Sequence, residues 1–258
     1  MIQRLNLSGS RLSKSHRRIA EYILQHYDKA VFMTAAKLGE MVNVSESTVV
    51  RFAVALGYEG YPELQQALQE LVRHRLTATQ RFEMSSDISQ EEVLSTVLKA
   101  DMQNIRSTID GIDNAAFLRA VQVISGARRI YILGLRSAAP LAQFAGYYLH
   151  YIFDDVRVVA AGSTDVFEAI SRIEASDVLL GISFPRYSSR TIEAMSFARS
   201  RHAQVIGLTD GPMSPLHEVA DICLSMRTDM ASFVDSMAAP MSVINALIVA
   251  LGIQNREA

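Results

Sequence analysis

The chain has little of what several classes of protein require. Its 258 residues include a single cysteine, Cys223, which excludes a scaffold held together by disulfides. No run of about 18 consecutive apolar residues occurs, so no membrane-spanning helix is expected. The first residues lack the apolar core of a secretory signal. With 49% apolar and 20% charged residues, the chain is not a disordered polymer. We expect a soluble, cytoplasmic protein with no membrane partner.

Motifs for metals and nucleotides are missing as well. The six histidines form no His-Glu-x-x-His motif and no i,i+4 pair, and with one cysteine no zinc site is expected. There is no P-loop and no intact Gly-x-Gly-x-x-Gly. We expect neither a metal nor a cofactor. Cys223 lies in an apolar run, which favours a buried, inert thiol over a nucleophile.

Charge is distributed unevenly along the chain. Residues 1–81 hold 11 Lys/Arg and 7 Asp/Glu, a net charge of +4. Residues 82–258 hold 14 Lys/Arg and 20 Asp/Glu, a net charge of −6. A basic segment joined to an acidic remainder suggests that only the first part meets a polyanion, although many surfaces of this charge bind nothing.

The first part of the chain predicts a bundle of short helices. Ile19, Ile23 and Tyr27 recur at helical spacing over residues 13–27. Thr34 is placed to cap a second helix. Beyond that helix, the chain must turn before the next periodic stretch begins.

A tight turn leads to a third helix. Asn43 tolerates the turn conformation, Ser45 is placed to cap the helix, and Gly57 ends it. Pro62 suits the first turn of a fourth helix. At about 100° per residue, the third helix has an apolar arc and an opposite, largely polar arc. The apolar arc holds Val49, Phe52, Ala53 and Leu56, and the opposite arc holds Ser47, Val50, Arg51 and Val54, flanked by Glu46 and Thr48.

The outer arc of the third helix has the chemistry of a recognition helix. Short side chains in its first turns permit close approach to the major groove. Arg51 is long enough to reach a guanine edge or a phosphate, and free N–H groups at the helix start favour a phosphate. The alternative is that the hydroxyls only cap the helix. The candidate DNA-binding residues are Thr34, Ser45, Glu46, Ser47, Thr48 and Arg51.

The second part alternates short apolar runs with helix-length segments. The predicted strands are residues 129–133, 156–159, 178–182, 205–208 and 222–224, and the helices near them are 91–109, 114–125, 138–153, 164–173, 189–202 and 233–252. This alternation predicts a parallel sheet covered on both faces. The last helix is apolar nearly all round, so it packs in a core or against a partner subunit.

Two loops after predicted strands are rich in hydroxyls and arginine. In parallel sheets, ligands bind at the carboxyl ends of the strands, where such loops begin. Hydroxyls, arginine and unpaired amides bind phosphate well, which predicts a small anionic ligand; helix capping with solvated arginines is the alternative. The candidate ligand-binding residues are Arg136, Ser137, Ser183, Arg186, Tyr187, Ser188 and Ser189.

Four runs in the first part resemble the RpiR family of transcriptional regulators. They are LSKSHRRIAEYIL (12–24), FMTAAKL (32–38), VSESTVVRF (44–52) and LGYEGYPEL (56–64). Their order and spacing are similar to those of the family's helix-turn-helix. The resemblance implies binding to double-stranded DNA.

The second part resembles the SIS (sugar isomerase) domain that follows the helix-turn-helix in this family. The resemblance runs from about Arg128 to Leu251 and includes LTD (208–210) and SPL (214–216). It implies an all-α helix-turn-helix domain at 1–76, a linker and helical connector at 77–112, and an α/β three-layer SIS domain with a parallel five-stranded sheet at 113–258.

The two loops depart from the commoner SIS patterns. Where the first pattern is Gly-x-Gly-x-Ser, Arg136 replaces the second glycine and Ser137 stands one place early. Where the second is Ser-x-Ser-Gly-x-Thr, Ser183 keeps the first serine, Arg186 replaces the glycine, and Ser188 stands at the threonine. The two arginines either supply the missing contacts or fill the pocket.

The resemblance implies a regulator that senses a phosphosugar and self-associates as a dimer or tetramer, because one helix-turn-helix reads few base pairs. The alternative is a SIS-type sugar-phosphate isomerase. That chemistry needs a positioned base, for which Glu168 and Glu193 are candidates by position only.

Overall fold

The structure is a computed structural model that describes residues 13–31, 33–73, 89–160, 165–231 and 234–255. It divides into two compact units, Met1–Asp87 and Ile88–Ala258. The predicted boundary at residue 76 lies outside the described residues, and the helix of the predicted connector belongs to the second unit. The three-part division therefore stays a prediction.

The first unit is helical, as predicted. In chain order it contains α1 (Lys14–Gln25), α2 (Tyr27–Ala30), α3 (Ala35–Val42), α4 (Glu46–Ala55) and α5 (Tyr61–Arg73). Helix α1 begins where the Ser13 hydroxyl accepts a hydrogen bond from the backbone N–H of His16 at 3.2 Å. Thr34 caps α3 in the same way, accepting from the N–H of Lys37 at 3.2 Å.

The turn between α3 and α4 is built from two special backbone positions. Asn43 adopts a left-handed conformation (φ 54°), as its side chain permits. Gly39 in α3 lies so close to the turn that a Cβ there would be 2.8 Å from the carbonyl oxygen of Val44. The missing side chain therefore lets α4 start directly against α3.

Helix α4 buries its predicted apolar arc in the core of the first unit. Val49, Phe52 and Ala53 are fully buried, together with Ile19 and Ile23 of α1. Removing these side chains from water is the main stabilisation available to a unit of this size. The burial fixes which face of α4 points outward.

The second unit is built on a sheet of five parallel strands, as predicted. In chain order it contains α6 (Val93–Gly111), α7 (Asn114–Ser125), β1 (Ile130–Gly134), α8 (Ala139–Leu149), β2 (Val156–Ala160), α9 (Val166–Ile170), β3 (Val178–Ile182), α10 (Ser189–Ser200), β4 (Gln204–Thr209), α11 (Leu216–Val219), β5 (Ile222–Ser225) and α12 (Ala238–Gln254). The strand order is β2-β1-β3-β4-β5. Two of the three interior strands, β1 and β3, are buried along their whole length.

Each face of the sheet has its own apolar cluster, which explains the unbroken apolar strands. Ile132 and Leu180 point to the cluster that includes α7, α8 and α12. Tyr131 and Leu179, one residue earlier on the same strands, point to the cluster that includes α9, α10 and α11. Within the described residues, no helix is both long and apolar enough to cross a membrane.

Candidate DNA interface and anion pocket

The outward face of α4 carries the predicted recognition residues. Ser47, Val50, Arg51 and Val54 are all exposed, and Thr48 is half-buried. Since the opposite face is packed in the core, these side chains are held on a rigid element rather than on a loop. The result is a short polar surface with one arginine and two small apolar groups.

Ser45 precedes α4 but does not cap it as expected. Its side chain receives no hydrogen bond from a backbone N–H. Instead, its hydroxyl is joined to the hydroxyls of Ser47 (2.9 Å) and Thr48 (2.8 Å). The three hydroxyls form one exposed cluster at the helix start, where the helix dipole favours an anion.

Arg51 lies on the rim of this cluster. Its Nε donates to the carbonyl of Ser47 at 3.3 Å, and its side chain is exposed. The nearby ring of His16 packs edge-on against Phe52, with 5.6 Å between ring centroids. Burial, and then the charge of Arg51, lower the pKa of His16, which favours the neutral imidazole. The sequence offered no indication that His16 belongs to this rim.

Thr34 and Glu46 lie at two different helix starts. Both side chains are exposed. The Thr34 hydroxyl is engaged as the cap of α3, and Glu46 is the acidic residue in the first turn of α4. Their roles toward DNA stay predictions.

The two predicted ligand loops meet at the carboxyl edge of the sheet. Strands β1 and β3 are neighbours, and Gly134 at the end of β1 is paired with Ile182 at the end of β3. A cavity of about 120 Å³ lies between the loops that follow. It is lined by Leu135, Arg136, Ser137, Ala138, Ser183, Phe184, Pro185, Arg186 and Ser188.

Both arginines occupy backbone positions that suit glycine. Arg136 has φ 57° and Arg186 has φ 67°, in the left-handed region that side chains rarely adopt. Arg136 stands at the second glycine of the first commoner SIS pattern, and Arg186 stands at the glycine of the second pattern. The backbone shape of the loops is thus compatible with those patterns, while the side chains differ.

Ion pairing holds the Arg186 side chain in place. Its Nη2 donates to the carboxylate of Asp235 at 2.9 Å, and the Asp235 side chain is only 5% exposed. Arg136 donates to the carbonyl oxygen of Arg186 at 3.5 Å. Sequence reasoning missed Asp235, because it lies 49 residues beyond Arg186 and outside both loops.

The serines of the second loop are joined to one another. The Ser183 hydroxyl accepts from the N–H of Ser188 at 3.2 Å, and the Ser188 hydroxyl accepts from the N–H of Thr191 at 3.4 Å. Each hydroxyl keeps its own hydrogen to donate to an anion. Ser137 lines the cavity from the first loop and is exposed.

Two of the predicted ligand residues do not line the cavity. Tyr187 points elsewhere, and its hydroxyl donates to the carboxylate of Asp210 at 2.7 Å. Ser189 is the first residue of α10 and is exposed.

Glu168 and Glu193, the candidate bases, are exposed on α9 and α10 and do not line the cavity either. Within the described ranges, no cluster of residues suited to a metal ion occurs.

Comparisons with family models divide the chain into two parts. Residues 1–74 match the helix-turn-helix domain of the rpiR family, and residues 123–250 match the SIS domain. The first match contains the whole of α4, and the second contains both pocket loops.

Two of three similar proteins match over nearly the whole chain, and the third matches over the second unit. The HTH-type transcriptional regulator HexR of Escherichia coli is 27% identical over 253 residues, covering 96% of this chain and 86% of HexR. The sugar isomerase domain of an RpiR transcription factor from Sphaerobacter thermophilus has a TM-score of 0.62 and 24% identity, covering 64% of this chain and 93% of that one. The Vibrio vulnificus NanR protein complexed with ManNAc-6P has a TM-score of 0.58 and 21% identity, covering 98% of this chain and 92% of the NanR chain.

Proposed function

The chain belongs to the RpiR family, with an rpiR-type helix-turn-helix followed by a SIS domain, and from this premise we propose that it is a DNA-binding transcriptional regulator that senses a sugar phosphate. The observation that carries the proposal is the outward face of α4. It presents a hydroxyl cluster and Arg51 on a helix whose opposite face is locked in the core.

In this reading, α4 enters the major groove with its first turns. The hydroxyls of Ser45 and Ser47 contact a phosphate at the helix start, and Arg51 reads a base edge. One such helix covers few base pairs, so two copies of the chain on two half-sites supply the remaining specificity. A ligand then acts by changing the relative placement of the two DNA-binding units.

The ligand pocket is the cavity between the two loops. Ser137, Ser183 and Ser188 offer hydroxyls, and Arg136 adds a positive charge near the opening. This set suits a phosphate monoester. Since NanR was determined with ManNAc-6P, this compound heads a panel of hexose and pentose phosphates for this chain. We propose a regulator rather than an isomerase, because neither candidate base lies at the cavity.

The experiment has a DNA arm and a ligand arm. Fluorescence anisotropy should show binding to promoter fragments from the source chromosome, with an affinity that decreases steeply as salt increases. Absence of binding at low ionic strength would overturn the proposal that the protein is a DNA-binding regulator.

In the ligand arm, calorimetry with the sugar-phosphate panel should detect a binder whose affinity decreases at least about tenfold in Arg136→Ala. Arg190→Ala is the matched control, because Arg190 is an exposed arginine of α10 that does not line the cavity. If no sugar phosphate binds, the phosphosugar part of the proposal is wrong while DNA binding stands.

A further inference from the structure

The fully buried contacts of helix α6 with its own unit are made by two polar side chains. Its buried residues are Asn104 and Thr108. By contrast, Leu94, Met102 and Ile109 on the same helix are exposed. The position of α6 therefore depends in part on the hydrogen bonds of Asn104 and Thr108.

Those hydrogen bonds all go to the segment between β5 and α12. The Asn104 amide donates to the carbonyl of Asp229 (2.8 Å) and accepts from the N–H of the same residue (3.0 Å). The Thr108 hydroxyl accepts from the N–H of Arg227 at 2.8 Å. Buried polar groups of this kind are costly to leave without partners, so they fix one arrangement of helix and segment.

The same segment reaches both α6 and the pocket through two adjacent residues. The Ser236 hydroxyl donates to the carboxylate of Asp101 in α6 at 2.6 Å. Its neighbour Asp235 accepts from Arg186 of the pocket loop at 2.9 Å. A movement of Asp235 away from Arg186 would therefore also displace Ser236, which is hydrogen-bonded to Asp101 of α6.

We propose that Asp235 is a resident carboxylate that the phosphate of the ligand must displace from Arg186, and that this displacement loosens the contacts of α6. The inference rests on the proposed anion-binding role of the pocket. A carboxylate and a phosphate compete for the same guanidinium because both accept paired N–H donors. Because the Asp235 side chain is only 5% exposed, little water is available to replace Arg186 as its partner.

The consequence concerns the other end of the chain. Helix α6 follows residues 74–88, which join the second unit to the helix-turn-helix unit in sequence. Loosening α6 therefore changes the element from which the DNA-binding unit is tethered. A two-state contact that the ligand biases in this way is the physical requirement for coupling between two sites.

The coupling is tested without any ligand, by hydrogen exchange of the full chain. Arg186→Ala should speed exchange of the amides around Asp101–Thr108 by about tenfold, because it removes the ion pair between Arg186 and Asp235. Arg186→Lys keeps a cation there and should stay near wild type. Arg190→Ala, the matched control, should leave α6 unchanged. Equal exchange of α6 in Arg186→Ala and Arg190→Ala would overturn the coupling.

The competition is tested with inorganic phosphate and ManNAc-6P. Asp235→Asn removes the resident charge with almost no change of shape, so it should bind these anions about tenfold tighter than wild type. In wild type, a bound anion should also speed exchange of the α6 amides. Unchanged or weaker anion binding in Asp235→Asn would overturn the competition.

The two arms separate this inference from the proposed function. If Arg186→Ala loosens α6 but neither wild type nor Asp235→Asn binds any phosphate, the coupling stands and the sensing proposal is wrong. If wild type binds a sugar phosphate and α6 is unaffected both by that ligand and by Arg186→Ala, sensing stands and the coupling is wrong.

Discussion

Arg51 donates through its Nε to the carbonyl oxygen of Ser47, one helical turn earlier, at 3.3 Å. The contact places the arginine on the exposed face of α4, next to the backbone of Ser47. This pair gives the proposed DNA interface a defined geometry before DNA arrives.

Replacing Arg51 tests that interface directly. Arg51→Ala should weaken binding to a cognate promoter by about 1–3 kcal/mol, because it removes a base contact, and relax specificity at one position. Folding should be intact, since the side chain is exposed. Fluorescence anisotropy measures the affinity and thermal unfolding checks the fold.

Arg51→Lys is the matched control for charge. Lysine keeps the phosphate attraction but loses the bidentate fork that reads guanine. It should therefore retain non-specific binding and lose discrimination between promoter and random DNA. Wild-type specificity in Arg51→Lys would contradict the base-reading role.

Replacing Thr34 and replacing Ser45 should have different effects on the stability of the fold. Thr34→Ala deletes a side chain that caps α3, which should cost about 1 kcal/mol of stability. Ser45 accepts no backbone N–H, so Ser45→Ala should cost less than about 0.5 kcal/mol while weakening DNA binding. Urea unfolding and hydrogen exchange of the first amides of α3 and α4 measure the stability.

Thr34→Ser is the control for the cap, because it keeps the accepting oxygen. It should retain most of the stability that Thr34→Ala loses. A larger loss of stability in Ser45→Ala than in Thr34→Ala would show that the hydroxyl cluster is structural and not an interface.

Gly39 determines how closely α3 and α4 approach. In Gly39→Ala the new Cβ would lie 2.8 Å from the Val44 carbonyl oxygen, so the turn must shift, at a cost of about 1–3 kcal/mol. DNA affinity should decrease with stability, because the turn positions α4. Gly60→Ala is the control, since its nearest neighbour would be 3.6 Å away. Equal unfolding midpoints for the two variants would refute this view of the turn.

Cys223, predicted to be a buried inert thiol, is partly buried on β5. Burial raises its pKa from the ordinary 9.0 to about 11. At pH 8 the reactive thiolate is then about 100-fold scarcer than for an exposed thiol, and labelling by a disulfide reagent should slow accordingly. The same reagent in denaturant gives the unfolded reference rate. Equal rates would show that the thiol is not shielded.

The raised pKa of Cys223 also predicts how the stability of the fold changes with pH. Because the pKa is higher in the folded than in the unfolded state, the contribution of the neutral thiol is present below pH 9. It is lost as the pH rises through about 11. Cys223→Ala should remove this part of the alkaline destabilisation, as measured by unfolding midpoints between these pH values.

Patterns over a few neighbouring residues determined the elements and the two candidate faces. The spacing of Ile19 and Ile23, the cap at Thr34 and the turn at Asn43 all depend on local backbone geometry, so they are readable from the chain. Alternating apolar runs predicted the parallel sheet, and a parallel sheet places successive loops at one edge. That rule predicted that the loops containing Arg136 and Arg186 lie at the same edge of the sheet.

Only the tertiary structure decided which of those side chains face each other. It turned Tyr187 toward Asp210 and away from the cavity, joined the Ser45 hydroxyl to its neighbours, and brought Asp235 to Arg186. Contacts between residues so far apart in sequence depend on how elements pack, and no local pattern encodes them. The sequence left open what the Arg186 side chain contacts, and the structure pairs it with the buried carboxylate of Asp235.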